Sequence, residues 1–297
     1  MKLMNNSKIE KLKNIVSNDK LYIMPCCYDA LSAKMIEQSG FELSFMSGFA
    51  TSAVKLGLPD TGLISYGEII DQGRNICENV NIPIIGDGDT GYGNEINVRR
   101  TVKGFYNAGF SAIMIEDQES PKRCGHTRGK KVISREDSIT RMKAAIDERD
   151  SGLDILIMAR TDARFDLGIN EAIARMKIFR ELGADILFIE GPQNREEMYK
   201  ICKELEGPKM INLVEGGDTP ILSFKELEDM GFRIAAFPLT ILSASMKATK
   251  EVLNNFKNNI KNEKNLISFE EIQKIIGFKD YLSLEKKYIK AKDNDQE

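Results

Sequence analysis

Gly109-Phe110-Ser111-Ala112-Ile113-Met114-Ile115-Glu116-Asp117 is the stretch from which the fold is read. Residues 112–115 are apolar and partly β-branched, as a strand buried on both faces requires. A glycine stands just before them, where it ends a preceding helix by taking φ > 0. Two carboxylates follow them. The unit is therefore helix, glycine stop, buried strand, acidic end.

The same unit recurs along the chain. Gly40-Phe41, Gly183-Ala184 and Gly231-Phe232 repeat the glycine stop, and apolar runs at 21–24, 43–46, 82–85, 155–159, 186–189, 210–214 and 234–237 repeat the strand. Helical patterns lie between them at about 29–39, 67–79, 95–108, 136–150, 170–182, 194–205 and 224–230, with a longer one from about 241. An earlier amphipathic segment, 5–18, carries Ile9, Leu12 and Ile15 on one side. Strand–helix alternation implies right-handed parallel crossovers. Eight such units predict a closed (β/α)8 TIM barrel over about 20–250. The alternative is a doubly wound open sheet. It is disfavoured because no glycine-rich phosphate loop follows the first strand; the GDGDTGYG run at 86–93 follows the third and carries two carboxylates. A barrel needs one closing helix, whereas helical pattern continues through about 251–290. The chain is read as a single domain, 1–297, whose surplus helices make an oligomer contact.

A net charge of −3 gives no electrostatic footprint for nucleic acid or a membrane surface. The five cysteines are odd in number and match neither a zinc knuckle nor a disulfide framework, so reduced thiols and a cytoplasmic location are expected. No window approaches a membrane span, and the N-terminus has no apolar signal core.

Catalytic residues of such a barrel cluster at the C-terminal ends of the strands. Here those ends carry Asp87 and Asp89, Glu116 and Asp117, Arg160 to Asp162, Glu190, and Asn212 with Glu215, while Asp60 lies in the loop after the second strand. So many carboxylates around one mouth repel each other. A hard divalent cation resolves the conflict, and all-oxygen donors suit Mg²⁺ or Mn²⁺. Asp87 is the expected direct ligand, with Asp89 and Glu116 acting directly or through water. Asp117 and Asp162 can equally cap the following helices or pair with Arg160. The fork of Arg160 suits a substrate carboxylate. No lysine ends a strand, so a Schiff-base aldolase is disfavoured. After the fourth strand runs the loop ESPKRCGHTRGKK at 119–131, which contains the single histidine of the chain. Alone, it reads equally as a mobile active-site loop or an ordinary surface loop.

KRCGH at 122–126, DGDTGYG at 87–93, Ser47-Gly48, LGLPD at 56–60, ARTDA at 159–163 and EGGDTP at 215–220 together resemble the isocitrate lyase/phosphoenolpyruvate mutase superfamily. The resemblance covers about 20–250. It implies a (β/α)8 barrel, Mg²⁺, and an α-oxyacid or enolate bound to the metal. It also implies a homotetramer, a dimer of dimers that exchange the C-terminal barrel helix. KRCGH is the form typical of the carbon–carbon lyases of this family, in which the cysteine is the acid/base. The resemblance thus makes Cys124 the donor that protonates the carbanion, with Lys122, Arg160 and Glu116 as its catalytic companions. Ser47, Gly48, Asp60, Arg123, Gly125, His126, Glu190, Asn212 and Pro238 are implied as substrate contacts, and Asp87 and Asp89 as metal ligands.

The implied reaction is retro-Claisen-type cleavage of a substituted malate, a small di- or tricarboxylate, to pyruvate and a carboxylic acid. Phe45 stands where methylisocitrate lyases carry tyrosine, and Glu215-Gly216-Gly217 where they carry EFG. These positions, with Pro25-Cys26-Cys27-Tyr28-Asp29, look more like the 2,3-dimethylmalate lyase and oxaloacetate hydrolase branch. Pro238 stands where the hydrolases carry serine. The general base is open among Lys122, Glu116 and a metal-bound water. Phosphonomutase chemistry of the carboxyphosphonoenolpyruvate type, which shares the PKRCGH loop, is the alternative from another reaction class, and oxaloacetate hydrolysis is a further one.

Overall fold

A computed structural model describes residues 2–125 and 129–293. Eight strands form the centre: β1 (Tyr22–Cys27), β2 (Ser44–Met46), β3 (Ile84–Asp87), β4 (Ala112–Glu116), β5 (Leu156–Thr161), β6 (Ile186–Ile189), β7 (Lys209–Asn212) and β8 (Ile234–Phe237). Each pairs in parallel with its sequence neighbours, and β8 pairs with β1, so the sheet closes into a barrel. The helices of the barrel are α1 (Lys2–Ser17), α2 (Ala30–Gln38), α3 (Gly48–Leu56), α4 (Tyr66–Glu78), α5 (Glu95–Ala108), α6 (Arg135–Asp150), α7 (Ala163–Leu167), α8 (Ile169–Leu182), α9 (Arg195–Glu204) and α10 (Phe224–Met230). The predicted glycine stops hold: Gly109, Gly183 and Gly231 take left-handed conformations at the ends of α5, α8 and α10.

The core has two shells. The outer shell lies between strands and helices and includes Ile113, Ile115, Phe105, Phe110 and Phe179. The inner shell fills the barrel with the alternate strand residues, among them Met24, Ile85, Ala112, Met158 and Ile186. Ile9, Leu12 and Ile15 of α1 join this inner shell. The same helix is tied to residues that precede strands: Lys11 Nζ donates to the Asn81 carbonyl at 3.3 Å, before β3, and Lys13 pairs with Asp154, just before β5. The N-terminal helix therefore plugs the floor of the barrel. Burying each of its three apolar side chains stabilises the fold by about 1.5–3 kcal/mol.

Local differences from the sequence reading have local causes. β3 begins at Ile84, two residues later than expected, because Pro83 has no N–H and the Ile82 N–H donates to Glu37 Oε1 at 3.1 Å. It then runs on through Asp87. α3 was not expected. Its sequence is small and opens on glycine, but Ser47 caps it by accepting from the Ala50 N–H. Lys209 begins β7.

The chain divides into two compact units, Met1–Leu242 and Ser243–Glu297, with the boundary inside α11 (Thr240–Lys257). The second unit continues with α12 (Phe269–Ile276) and α13 (Phe278–Asp293). It leaves large apolar side chains in solvent: Phe256 is 66% exposed and Phe269 73%.

Candidate active site

The cavity at the C-terminal mouth takes at least one residue from every strand, and β7 gives Asn212 as well as Met210. Cys26, Phe45, Met114, Phe188, Met210 and Ala236 are the top layer of the inner core and form an apolar floor. Asp87 from β3 and Arg160 from β5 complete the ring. Loops supply Ser47, Asp60, Lys122, Arg123, Cys124, Gly125, Glu190, Val214, Pro238 and Leu239, and α3 supplies Phe49. The cavity encloses about 560 Å³ of empty space, its open mouth included.

One wall is a carboxylate cluster. Asp87 Oδ2 accepts from the Gly48 N–H at 3.1 Å, and its Oδ1 accepts from the Asp89 N–H at 3.1 Å. Glycine is required at 48, since a Cβ there would lie 2.5 Å from Asp87 Oδ2. Asp89 itself is held at φ 48°, a conformation most side chains avoid, so its placement is imposed by the surrounding loop. Lys122 Nζ lies 2.5 Å from Asp60 Oδ1 and 2.8 Å from Asp89 Oδ1, with all three side chains buried. Burial works against the Lys122 charge, but Asp89, Asp87, Asp60 and Glu116 together outweigh it and hold the group well above the ordinary lysine range. Burial first, and Asp89 next, push the Asp87 carboxyl up.

Two strands round the barrel from Asp87 stands Arg160. Its Nε and Nη2 reach Asp162 Oδ2 and Oδ1 at 2.9 Å each. Nε is also 3.3 Å from Glu116 Oε2, and Nη2 is 3.4 Å from Glu190 Oε2. The fork expected for a substrate carboxylate is thus turned towards Asp162. Asp162 takes the pairing role among its expected alternatives and makes no side-chain helix cap. Asp117 does neither of the things expected of it. It accepts from Thr161 Oγ1 at 2.5 Å and the Asp162 N–H at 2.9 Å, and pairs with buried Arg175 at 3.1 Å. Asn212 Nδ2 donates to Glu190 Oε2 at 3.3 Å.

The expected residues are therefore brought to one mouth, with distinctions. Ser47, Asp60, Asp87, Lys122, Arg123, Cys124, Gly125, Arg160, Glu190, Asn212 and Pro238 line the cavity. Gly48 and Asp89 support it from behind through Asp87 and Lys122, and Glu116 is buried behind Arg160. His126 lies outside the described residues. Cys26 lines the cavity, whereas Cys27 joins the outer shell; burial raises both thiols. The apolar floor was absent from the sequence reading. Strand alternation carries its signal, because every member but Met210 stands two residues after another inward-facing core position, and Met210 is in register with Phe188 and Ile234.

Six carboxylates (Asp60, Asp87, Asp89, Glu116, Asp162 and Glu190) here face three buried cations (Lys122, Lys130 and Arg160), and the exposed Arg123 also lines the cavity. Glu116 Oε1 is buried with no hydrogen-bond donor among the described residues. The donors are all oxygens, and the surplus is negative. Both features fit a hard divalent cation. Among the described residues no three acids are gathered closely enough to grip an ion by themselves, with the Lys122 ammonium lodged between Asp60 and Asp89. Magnesium keeps several waters and needs only one or two direct carboxylates.

Residues 12–257 match the family model described as phosphoenolpyruvate phosphomutase. The chain is 38% identical over 281 residues to the 2,3-dimethylmalate lyase of Eubacterium barkeri, covering 94% of this chain and 97% of that protein. It is 39% identical over 285 residues to the chloroplastic carboxyvinyl-carboxyphosphonate phosphorylmutase of Arabidopsis thaliana (94% and 84%), and 36% over 273 residues to a 2-methylisocitrate lyase of Aeropyrum pernix (91% and 87%). Among solved structures, oxaloacetate acetylhydrolase with 3,3-difluorooxalacetate superposes with a TM-score of 0.90 at 32% identity, covering 95% of this chain and 97% of that one. A 2,3-dimethylmalate lyase described as a PEP mutase/isocitrate lyase superfamily member gives 0.88 at 32% (96% and 95%). Phosphonopyruvate hydrolase with oxalate and Mg²⁺ gives 0.85 at 27% (95% and 99%). With the barrel, the acid cluster and the Cys124 loop in these positions, the chain belongs to the PEP mutase/isocitrate lyase superfamily.

Proposed function

We propose that this protein is a Mg²⁺-dependent carbon–carbon lyase that cleaves a substituted malate, 2,3-dimethylmalate in the first instance, to pyruvate and a carboxylic acid. The observation that carries the reading is the position of Cys124. It lines the same small cavity as Asp87 and Ser47 on one side and Arg160, Glu190 and Asn212 on another, above an apolar floor. A proton donor set over a cavity polar at its sides and apolar at its base suits a dicarboxylate with methyl substituents. The third carboxylate of 2-methylisocitrate would meet more of that apolar surface, so that substrate is second. Pro238 lines the cavity without offering a hydroxyl, which favours cleavage over oxaloacetate hydrolysis.

Asp87 would hold the metal, with Asp89 and Glu116 reaching it directly or through water. Bound there, Mg²⁺ or Mn²⁺ would supply a Lewis acid for the hydroxyl oxygen and the adjoining carboxylate. The substrate hydroxyl loses its proton to the carboxylate cluster and becomes the carbonyl of pyruvate. The C2–C3 bond breaks, and its electron pair passes to C3 and the adjoining carboxylate as an enediolate. Cys124 donates its thiol proton to C3. Lys122, held as a cation by four acids, stabilises negative charge and is a poor base in this arrangement. Arg160 is likewise a fixed cation beside the departing half. Arg123, Gly125 and the loop residue His126 complete the substrate contacts in this reading.

The thiols among the described residues are all free, which supports a reducing, cytoplasmic setting. Among those residues no helix is long and apolar enough to cross a membrane. The apolar side chains of α11, α12 and α13, such as Phe256, Phe269 and Ile272, support a homotetramer of helix-swapped dimers, with 243–297 as an extension of one barrel domain. Light scattering after size exclusion tests this: a tetramer is expected, and a monomer at micromolar concentration contradicts it.

The 39% identity to a carboxyvinyl-carboxyphosphonate phosphorylmutase favours one other reading, phosphorus–carbon bond chemistry in the same site. Pyruvate release across 2,3-dimethylmalate, 2-methylisocitrate, isocitrate and oxaloacetate separates the two. Turnover of 2,3-dimethylmalate above the others supports the lyase, and turnover of none supports the mutase.

A further inference from the structure

The loop that carries Cys124 is gripped on both sides of that residue by side chains from its own two ends. Gln118, 1% exposed, donates from Nε2 to the Arg123 carbonyl at 2.9 Å and accepts the Arg123 N–H on Oε1 at 2.9 Å. Both faces of its carboxamide are used on the backbone of one residue. Lys130, 5% exposed, donates from Nζ to the Gly125 carbonyl. The same ammonium lies 3.3 Å from Asp162 Oδ1 and 4.9 Å from the centre of the Phe165 ring. The residue before Cys124 is thus tied to Gln118, and the residue after it to Lys130.

The base of the loop is fixed as well. The Glu119 N–H donates to the Lys131 carbonyl at 2.9 Å and the Ile133 N–H to the Asp117 carbonyl at 3.0 Å. Arg141 Nη1 donates to the carbonyls of Glu116 and Gln118 at 2.9 Å each.

A lysine on a surface loop keeps its ammonium in water, so a buried one needs a reason on the inside. Here the reason is convergence. Asp162 receives Lys130 and also holds the Arg160 fork, so a single carboxylate anchors the Cys124 loop and the site's arginine together. Gly125 makes the fit tight: a Cβ there would lie 2.6 Å from Arg160 Nη2.

We propose that Gln118 and Lys130 are positioning residues that hold the Cys124 thiol at the reacting carbon. The inference rests on the proposed role of Cys124 as proton donor. Two assays separate the inference from that role. The first is pyruvate release from 2,3-dimethylmalate with Mg²⁺, giving kcat and KM. The second is the alkylation rate of Cys124 by iodoacetamide, followed by peptide mass, which reads the thiol's placement without turnover.

Lys130→Met and Gln118→Leu are each expected to lose about 10²-fold in kcat, the size of effect that a 1 Å misplacement produces, while KM moves by less than about threefold. Alkylation of Cys124 is expected to quicken by about tenfold or more in both as the thiol is released. Lys130→Arg keeps a cationic donor and is expected to recover most of kcat, which a merely space-filling role would not require. Wild-type kcat in both Lys130→Met and Gln118→Leu, or an unchanged alkylation rate in both, overturns the proposal. If the wild type releases no pyruvate, the lyase reading fails, and the alkylation rates alone decide whether the grip exists. If Lys130→Met does not fold, Gln118→Leu and Lys130→Arg carry the same two outcomes.

Discussion

Gly125→Ala is the smallest change that reports on the whole site. Its added Cβ would sit 2.5 Å from Glu190 Oε2, 2.6 Å from Arg160 Nη2 and 2.7 Å from Glu190 Cδ. Ordinary contact begins at 3.4 Å, so one side must yield by 0.9 Å, the difference between 3.4 and 2.5. Arg160 and Glu190 are both buried and both engaged: Arg160 with Asp162, Glu116 and Glu190, and Glu190 with Asn212 as well. If they yield, the cost is that of overpacking, about 1–3 kcal/mol. If the loop yields, Cys124 moves by close to 1 Å, and a displacement of that size costs about 10²-fold in rate, or roughly 2.7 kcal/mol of barrier. Arg160 and Glu190 are held by several buried partners in the barrel wall, whereas Gly125 is held through its carbonyl by Lys130, so the second outcome should dominate. The assay is kcat for pyruvate release beside the thermal midpoint, with Gly67→Ala as control, since a Cβ at 67 meets nothing nearer than 3.9 Å. A drop of about 10² in kcat with a small change in midpoint is expected. Activity within about threefold of wild type, with the midpoint also unchanged, would refute the argument that Gly125 sets the loop against Arg160 and Glu190.

Other consequences are independent of that one. Arg175→Met strips the buried partner from Asp117, whose remaining donors are Thr161 and the Asp162 N–H, and should cost about 3–5 kcal/mol in urea unfolding; under 1 kcal/mol would show that the pair is not a support. Leu12→Ala opens the barrel floor and should cost about 2–5 kcal/mol in the same experiment, whereas a neutral result would contradict the plug role of α1. Burial works against the Asp162 charge, but Arg160 and Lys130 hold its carboxyl below the 3.8 ordinary for aspartate. Its contribution to stability is therefore complete above that pH and lost as the pH falls through the depressed value. Asp162→Asn should be less stable at neutral pH, with a shallower acid limb; an acid limb as steep as wild type would contradict this.

The barrel was legible because strands buried on both faces are continuous apolar runs, and because Gly109, Gly183 and Gly231 mark the helix ends that precede three of them. Polar residues at the strand ends followed directly, which is why Asp87, Arg160 and Glu190 could be placed at one mouth from their positions alone. What escaped was set by contacts between distant residues. Nothing local to Lys130 says that its ammonium is buried against Asp162 and the Gly125 carbonyl. Pairing of Asp162 with Arg160 stood among the expected alternatives, but the sequence did not choose between it and a fork aimed at substrate, a role that came from the side-chain chemistry of Arg160 alone. α3 escaped for a different reason. Its residues, Gly48 to Leu56, have modest intrinsic helix preference, and the Ser47 cap and packing of Ala50 beside Tyr28 and Leu242 favour the helix.

The central claim is that Cys124 protonates a carbanion released by carbon–carbon cleavage in a metal-assisted site. The direct test is pyruvate release from 2,3-dimethylmalate by wild type and Cys124→Ser, each with Mg²⁺ and after chelation, with Mg²⁺ binding and the thermal midpoint measured alongside. Wild type should release pyruvate only with the metal. Cys124→Ser should keep its midpoint and its Mg²⁺ binding and lose most of the cleavage. Full activity in Cys124→Ser, or pyruvate release that survives chelation, would contradict the account.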